Sequence, residues 1–406
     1  MSSRTLTLLS AFSGLGGLDL GLEAAGFENV GCIELDAVAR QSLSANRSSW
    51  KLIAPHDVTV VSQNIAPKDV GLHRRQLSML AGGLPCQPFS KAAQWSHKAL
   101  RGMKDPRAKC LAGFMQLVET FLPSVVLIEN VHGFVSGKTN ALKRLRRSLA
   151  EINRRCGTKY KLHYWILNAA DYGVPQNRPR AIVFAHRGGR SLKIPTPTTR
   201  EKPVTAWEAF SGLRPPKASR RRGEHWNRLL PSIPEGENYL WHTPRGGGRP
   251  IFGYRTRFWS FLLKLAKDRP SWTISAQPGP YTGPFHWNNR RLTRSELLRL
   301  QSFPANWRVQ GSHSDIVRQI GNATPPLLAR IIGLAIAKQL FRTASRAGTL
   351  AVRKRARHIP APSPTRPVPK SFRRLIRILP DHPGPGRGPR PIPTIHPNEE
   401  ENSKVA

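Results

Sequence analysis

Short apolar runs alternate with helix-like segments through residues 5–187, and this alternation constrains the fold more than any other feature of the sequence. The apolar runs, each bounded by turn residues, predict strands at Thr5–Phe12, Val30–Ile33, Leu77–Ala81, Val125–Ile128 and Ala181–Phe184. Between them the spacing predicts helices at Gly17–Gly26, Ala37–Asn46, Ala108–Phe121 and Ala141–Arg155. Strands that alternate with helices form a mostly parallel sheet covered on both faces, so we predict an α/β fold for this part.

The remaining chain changes character twice. From 188 to 290, Pro, Gly, Arg and Trp dominate and helical periodicity is weak, which predicts a smaller, loop-rich domain. Helix patterns return at Arg294–Gln301 and Pro326–Phe341, and we expect them to rejoin the first domain. The last segment is rich in Pro and Arg, which is typical of a disordered tail. The predicted divisions are 1–187, 188–290, 291–345 and 346–406.

The chain carries a large excess of positive charge. Its 406 residues include 64 Lys and Arg against 24 Asp and Glu, a net charge of +40, and most of the excess lies in residues 1–345. A folded body this basic attracts polyanions, so nucleic acid is the expected partner. A general compositional bias toward arginine would produce the same charge and is kept as the alternative.

The sequence argues against a membrane or secreted protein. No apolar run approaches the roughly 20 residues that a membrane helix needs, and the N-terminus lacks a signal-peptide pattern. The cysteines are far apart and form no C-x-x-C pair, which argues against a disulfide framework and against a zinc site: Cys32, Cys86, Cys110 and Cys156. We expect a cytoplasmic, nucleoid-associated protein that uses no metal.

One cysteine lies in a stiff turn directly after a predicted strand. The turn reads Gly82-Gly83-Leu84-Pro85-Cys86-Gln87-Pro88-Phe89-Ser90. Its glycines allow the backbone to approach a ligand closely, and its prolines restrict the chain on both sides of the sulfur. A thiol held at the carboxyl end of a strand is positioned for nucleophilic attack. A lone cysteine is more commonly a buried structural residue, so this turn has to be weighed with the rest of the chain.

Other strand ends carry groups that suit a ligand. The turn Phe12-Ser13-Gly14-Leu15-Gly16-Gly17 would bring backbone N–H groups close to a cofactor, but its spacing does not favour phosphate binding. Glu34 follows the second strand, where an acid binds ribose hydroxyls, and Asp57 suits the amino group of an adenine. Glu129 closes the apolar strand Val125–Ile128, where α/β active sites form. Each acid by itself also fits a solvated turn.

Six blocks resemble, in order, those of the cytosine-C5 DNA methyltransferases. They are Phe12–Gly17, Gly83–Ser90, Glu129–Val131, Gln176–Arg180, Arg291–Pro304 and Gln319–Pro326. The resemblance implies a Rossmann-like, S-adenosylmethionine-dependent methyltransferase domain with a mostly parallel sheet and a smaller, loop-rich target recognition domain. The segment between Arg180 and Arg291 resembles no particular recognition domain, and the tail past Arg346 lies outside the resemblance.

The resemblance also implies roles for individual residues. Cys86 would attack the base, Glu129 would contact ring N3 and the exocyclic amine, and Arg178 would hold the pyrimidine O2 or the DNA backbone. The expected S-adenosylmethionine contacts are Phe12, Ser13, Gly14, Gly16, Gly17, Glu34, Asp57 and Asn322. Candidate base-reading or phosphate-binding arginines are Arg245, Arg249, Arg255 and Arg257.

The expected substrate is a cytosine that swings out of double-stranded DNA. The expected protein is a monomer, and either pairs functionally with a cognate restriction endonuclease or acts alone. An RNA cytosine-C5 methyltransferase is the second hypothesis, although the Cys-Phe-Thr signature of that branch is absent from the sequence. A DNA-binding regulator without catalysis is the third, and the intact Cys86, Glu129 and Arg178 argue against it.

Overall fold

A mixed six-stranded sheet forms the centre of the described part of the chain. The computed structural model describes residues 5–85, 108–136, 141–214, 225–254, 259–343, 350 and 355–373. The strands are β1 (Leu6–Ala11), β2 (Phe27–Ile33), β3 (Met79–Gly82), β4 (Val125–Asn130), β5 (Lys161–Asn168) and β6 (Pro179–His186), in the order β2-β1-β3-β4-β6-β5. β1 pairs in parallel with β2 and β3, and β3 with β4. β6 pairs antiparallel with β4 and β5, so the predicted, mostly parallel α/β sheet is confirmed.

The sequence patterns missed β5, the edge strand. It pairs with β6 along its whole length, from Lys161 opposite His186 to Asn168 opposite Pro179. Leu167 is its one buried residue, and Tyr164 is exposed. Such a strand is stabilised by its hydrogen bonds to β6 more than by burial of its side chains. Its sequence therefore shows only a weak strand pattern.

Helices cover both faces of the sheet. They are α1 (Gly17–Glu23), α2 (Ala37–Asn46), α3 (Val58–Asn64), α4 (Ala108–Phe121), α5 (Gly133–Ser136), α6 (Leu142–Cys156), α7 (Ala206–Phe210), α8 (Arg294–Leu300), α9 (His313–Asn322), α10 (Pro326–Ile336) and α11 (Lys370–Arg373). Short 3₁₀ helices span Pro67–Val70, Ala169–Tyr172, His225–Ser232 and Tyr239–His242, and a π-helical turn spans Ala337–Phe341. α3, α4 and α6 pack on one face, and α1 and α10 pack on the other. The sequence patterns missed α3, α9 and the short helices α5, α7 and α11.

The contact between α1 and α10 returns the distal part of the chain to the first domain. A Cβ atom built on Gly17 would lie 2.1 Å from the carbonyl oxygen of Thr324, so this approach needs glycine. The stretch His313–Phe341 is apolar and long enough to cross a membrane by composition, but 72% of its most apolar window is buried inside the protein. It is therefore a core element of this fold.

The region between β6 and α8 has little regular structure and a core of its own. Its buried side chains are largely aromatic, among them Trp226, Tyr239, Phe252 and Phe285. Short 3₁₀ helices and isolated β-bridges connect them, in keeping with the loop-rich character predicted from the sequence. The boundaries of the divisions at 187, 290 and 345 stay predictions.

Residues 355–373, which we call the C-terminal strap, pack onto this aromatic core. Arg355 forms an ion pair with Glu208 of α7 at 3.1 Å, and the Arg366 N–H donates to the carbonyl of Pro231 at 2.8 Å. Phe372 is completely buried and contacts the ring of Trp226, with 5.6 Å between centroids. The strap therefore differs from the expectation of disorder for 346–406, because it contributes apolar side chains to a core that lies far away in sequence.

Candidate active site

A buried carboxylate lies just past the carboxyl end of β2. Glu34 is 9% exposed, and its two oxygens accept hydrogen bonds from the backbone N–H groups of Gly14 at 2.7 Å and Asp36 at 2.8 Å. Burial raises the pKa of Glu34 above its ordinary value, and the two N–H donors oppose that rise. The structure thus brings the glycine-rich turn and Glu34 into direct contact.

The turn itself has the strained backbone expected of a ligand-binding loop. Phe12 and Gly16 have φ angles of 59° and 80°, and the Phe12 N–H donates to the carbonyl of Ile33 at the end of β2. The Ser13 hydroxyl lies 2.6 Å from that of Ser10. Gly17 differs from the other expected contact residues, since it makes the close helix approach described above.

A buried polar cluster beneath this turn was not foreseen from the sequence. Asp19 is fully buried, contacts the Ser10 hydroxyl and accepts a hydrogen bond from Asn29 Nδ2 at 3.1 Å. Burial raises the pKa values of Asp19 and of the neighbouring Cys32 thiol. The sequence signal is an acid on the apolar face of α1.

Asp57 and Leu35 lie at the same edge of the sheet as Glu34. An isolated parallel bridge pairs Leu52 with Cys32, so the chain that leads to Asp57 runs beside β2. Asp57 Oδ1 accepts the Thr59 N–H at 2.8 Å, which makes it the N-cap of α3 as well as a candidate ligand. Leu35 is 67% exposed, and it is an apolar surface beside Glu34 that the sequence patterns did not single out.

A second cluster is built around Glu129 at the carboxyl end of β4. Glu129 is 6% exposed, and Arg180 Nε lies 2.8 Å from its Oε1. The antiparallel register pairs Glu129 with Ile182, which brings the start of β6 and therefore Arg180 alongside. A buried carboxylate paired with a guanidinium is held ready to make hydrogen bonds to a polar ligand.

The first residues of the cysteine turn lie against this cluster. A Cβ atom built on Gly83 would be 3.8 Å from Glu129 Oε2, and Asn130 Nδ2 donates to the carbonyl of Leu84 at 3.0 Å. Pro85 is the last described residue before Cys86, which lies outside the described residues. Cys86 follows Leu84 by two residues in the sequence, and the Leu84 carbonyl accepts a hydrogen bond from Asn130, the residue after Glu129.

The structure separates the two arginines of the Gln176–Arg180 block. Arg178 is 1% exposed, and its Nη2 donates to the carbonyls of Gly321 at 2.7 Å and Ala323 at 3.0 Å. These bonds connect β6 to the end of α9, beside the exposed Asn322. The arginine beside Glu129 is Arg180, two residues further on, which the sequence analysis did not select. Arg178 lies just before β6 and Arg180 lies within it, and only tertiary contacts distinguish the two side chains.

The structure describes two of the four candidate DNA-contacting arginines. Arg245 and Arg249 are exposed, whereas Arg255 and Arg257 lie outside the described residues. Among the residues that the structure describes, no group of three His, Cys, Asp or Glu side chains is placed to hold a metal ion.

Comparisons with known proteins identify the family of the chain. The model of the C-5 cytosine-specific DNA methylase family matches residues 6–338. The type II methyltransferase M.SacI of Streptomyces achromogenes is 33% identical over 383 residues, which cover 85% of this chain and 96% of that protein. M.NgoFVII of Neisseria gonorrhoeae is 32% identical over 80% of this chain and 84% of its own length.

A solved structure shows the same fold. The S. pombe Dnmt2 methyltransferase superposes with a TM-score of 0.54 at 17% identity, over 83% of this chain and all of that one. Family match and relatives therefore assign the chain to one family, and the solved structure shows the same fold. This chain belongs to the C-5 cytosine-specific DNA methylase family and is a DNA (cytosine-5-)-methyltransferase.

Proposed function

We propose that this enzyme methylates cytosine within a specific sequence of double-stranded DNA, through a transient covalent bond between Cys86 and carbon 6 of an extruded base. The observation that supports this most is the cluster at the end of β4. There Glu129 pairs with Arg180 and lies against Gly83, at the start of the cysteine turn. The cluster combines a carboxylate, a guanidinium and a turn that leads to a thiol, which are the groups that this chemistry needs.

The residues around Glu34 fit S-adenosylmethionine as the methyl donor. Glu34 has a buried carboxylate that suits two ribose hydroxyls, and Leu35 beside it offers an exposed apolar surface for an adenine ring. Gly14 and Gly16 keep the turn open with positive φ angles. When bound, S-adenosylmethionine supplies an electrophilic methyl group.

The catalytic residues make carbon 5 of cytosine nucleophilic. The Cys86 thiolate adds to carbon 6, and the ring electrons shift so that carbon 5 becomes an enamine carbon able to accept the methyl group. Glu129 contacts ring N3 and favours the protonation of N3 as the adduct forms, and N3 loses this proton when the thiolate leaves; Arg180 orients Glu129. A base then removes the proton of carbon 5, and the electron pair left there expels the Cys86 thiolate.

DNA reaches this site only if the cytosine leaves the helix. Extrusion costs a few kcal/mol, which contacts in the cleft have to offset. The net charge of +40 suits the phosphates on both sides of the base and predicts steep salt dependence. We call the region between β6 and α8 the recognition region, and its exposed arginines, Arg245 and Arg249 among them, are candidates for phosphate or base contacts.

Cytosine-methylation sequencing tests this proposal. A host without its own cytosine methylation would express the protein or its Cys86→Ala form, and its genome would be sequenced for methylated cytosines. We expect methylation in one short motif with the first and none with the second. An unmethylated genome in the presence of folded protein would favour the RNA hypothesis or a binding-only role. The motif found would also show whether a restriction endonuclease with that specificity has to be sought as a partner.

A companion variant separates the cofactor site from the DNA site. We expect Glu34→Ala to weaken S-adenosylmethionine binding about tenfold or more, because a buried carboxylate with two ribose hydrogen bonds is lost, and to leave DNA affinity unchanged. Calorimetric titration with S-adenosylmethionine and a fluorescence titration with duplex DNA measure the two. Equal losses in both titrations would contradict the assignment of Glu34.

A further inference from the structure

Two exposed tryptophans form a contact pair in the recognition region. Trp259 and Trp272 are 41% and 37% exposed, and their ring centroids lie 4.9 Å apart at an interplanar angle of 76°. The other tryptophans in the described part of the chain are buried or half-buried. Indole surface of this size is costly to leave in water, and a paired arrangement of exposed indoles indicates a binding surface.

The backbone on either side of the pair is held firmly. The Trp259 carbonyl accepts a hydrogen bond from the buried Asn238 side chain at 2.6 Å. The Ser271 carbonyl accepts the Asn177 N–H at 2.7 Å, and the Ser271 N–H donates to Pro175 at 3.0 Å. The pair is therefore already positioned, and binding on it would need little further ordering.

These same bonds fix the pair beside the active site. Residues 175–177 lead directly into Arg178 and β6, whose start carries Arg180 alongside Glu129. The Thr273 hydroxyl also donates to the Asn177 carbonyl at 2.7 Å, so the residues on both sides of Trp272 bind this loop. Trp272 thus lies where the recognition region meets the catalytic domain.

We propose that the Trp259–Trp272 pair is a stacking platform for a nucleobase of the substrate duplex next to the extruded cytosine. This inference rests on the proposed function, because only a duplex that has lost a stacked base offers a free base face at this place. Aromatic side chains stack on any nucleobase, so the platform stabilises the distorted duplex without reading its sequence. The base is either the unpaired guanine opposite the target or a neighbour of the target on its own strand.

The experiment compares duplexes that contain the motif identified by methylation sequencing. We expect Trp272→Ala to weaken binding of the motif duplex by roughly tenfold or more, and Trp272→Phe to restore most of that loss, since phenylalanine also stacks. Binding of S-adenosylmethionine should be unchanged. Binding of a duplex without the motif should change less than twofold, because its bases stay stacked.

A fluorescence measurement adds a readout that a merely structural role would not move. Stacking quenches indole emission, so the motif duplex should quench the wild-type protein more than a Trp259→Phe/Trp272→Phe double variant. 2-Aminopurine, placed in turn opposite the target and next to it, identifies the stacked base by the position at which Trp272→Ala raises its emission. Tyr164→Ala is the control, because Tyr164 is an aromatic side chain of β5 that is 45% exposed and is not part of the pair.

Particular results would overturn the platform. Equal weakening of motif and non-motif duplexes by Trp272→Ala would indicate a backbone contact in place of stacking. Unchanged affinity, or quenching that persists in the double variant, would remove the pair from the DNA interface. Failure of the wild-type protein to methylate any duplex would contradict the proposed function itself, and that is seen before any variant is compared.

Discussion

The sheet domain and the recognition region are stabilised in different ways. In the sheet domain, the ends of β2 and β4 present Glu34 and Glu129 at one edge, and covering helices bury the apolar runs of the same segments. In the recognition region, aromatic and aliphatic side chains from short 3₁₀ helices and irregular segments form the core, and Phe372 joins them from the C-terminal strap. Regular structure can therefore be inferred locally, whereas an irregular core depends on partners that are remote in sequence.

The C-terminal strap contributes polar contacts to the recognition region. Its Ser363 N–H donates to Glu235 at 3.0 Å, and the carbonyl of Ala361 accepts from Lys267 at 3.2 Å. Glu235 also pairs with Lys267, so these contacts form one network across the recognition region. These contacts connect the strap to the recognition region.

The largest effect should come from emptying the core position of Phe372. We expect Phe372→Ala to destabilise the recognition region by about 3–5 kcal/mol, because a fully buried ring leaves a cavity. Hydrogen exchange followed by mass spectrometry should show faster exchange in residues 225–285 and little change in β1–β4. Uniform acceleration across the protein would show that the two regions unfold as one unit. Phe184→Ala in β6, where the ring is also buried, is the matched control for the sheet domain.

A smaller effect should distinguish the role of Arg180 from that of Arg178. We expect Arg180→Ala to lower the methylation rate about a hundredfold, because Arg180 is the partner of Glu129, and also to lower stability, because the buried Glu129 carboxylate is left unpaired. Arg178→Ala should lower stability by about 1–3 kcal/mol for each carbonyl that loses its donor, namely those of Gly321 and Ala323, without a comparable loss of rate. Single-turnover rates and thermal unfolding of both variants measure the difference. If Arg178→Ala lowered the methylation rate a hundredfold and Arg180→Ala did not, the role that the sequence analysis gave to Arg178 would be supported.

The smallest effect should be on pH dependence. Burial, followed by the nearby Arg290, lowers the pKa of His286 to about 4. As the pH falls below about 6.5, His286 becomes protonated in the unfolded state but stays neutral in the folded state. The free energy of unfolding therefore decreases between pH 6.5 and about pH 4. We expect His286→Asn to remove about 2 kcal/mol of this dependence, in urea titrations at pH 7 and pH 4.5. An unchanged slope would mean that His286 takes up its proton in the folded protein.

The sequence by itself determined the α/β class, five of the six strands and, through six blocks in order, the family. Period-two and helical patterns follow from local geometry, and the turns after β1 and β3 carry their glycines and prolines next to the strands they end. The excess of basic residues is likewise a property of composition and indicates nucleic acid without any fold. These features can be predicted from the sequence because each depends on residues within about one turn or strand of one another.

Tertiary structure alone decided which side chains meet. The register of β6 on β4 puts Arg180 beside Glu129, although Arg178 lies in the same motif. Pairing with β6 makes β5 a strand, and burial of Phe372 orders part of a tail whose composition is typical of disorder. The contact of Trp259 with Trp272 joins residues that no spacing relates. In each case the stabilising partner lies outside the local pattern, and contacts between distant segments set the outcome.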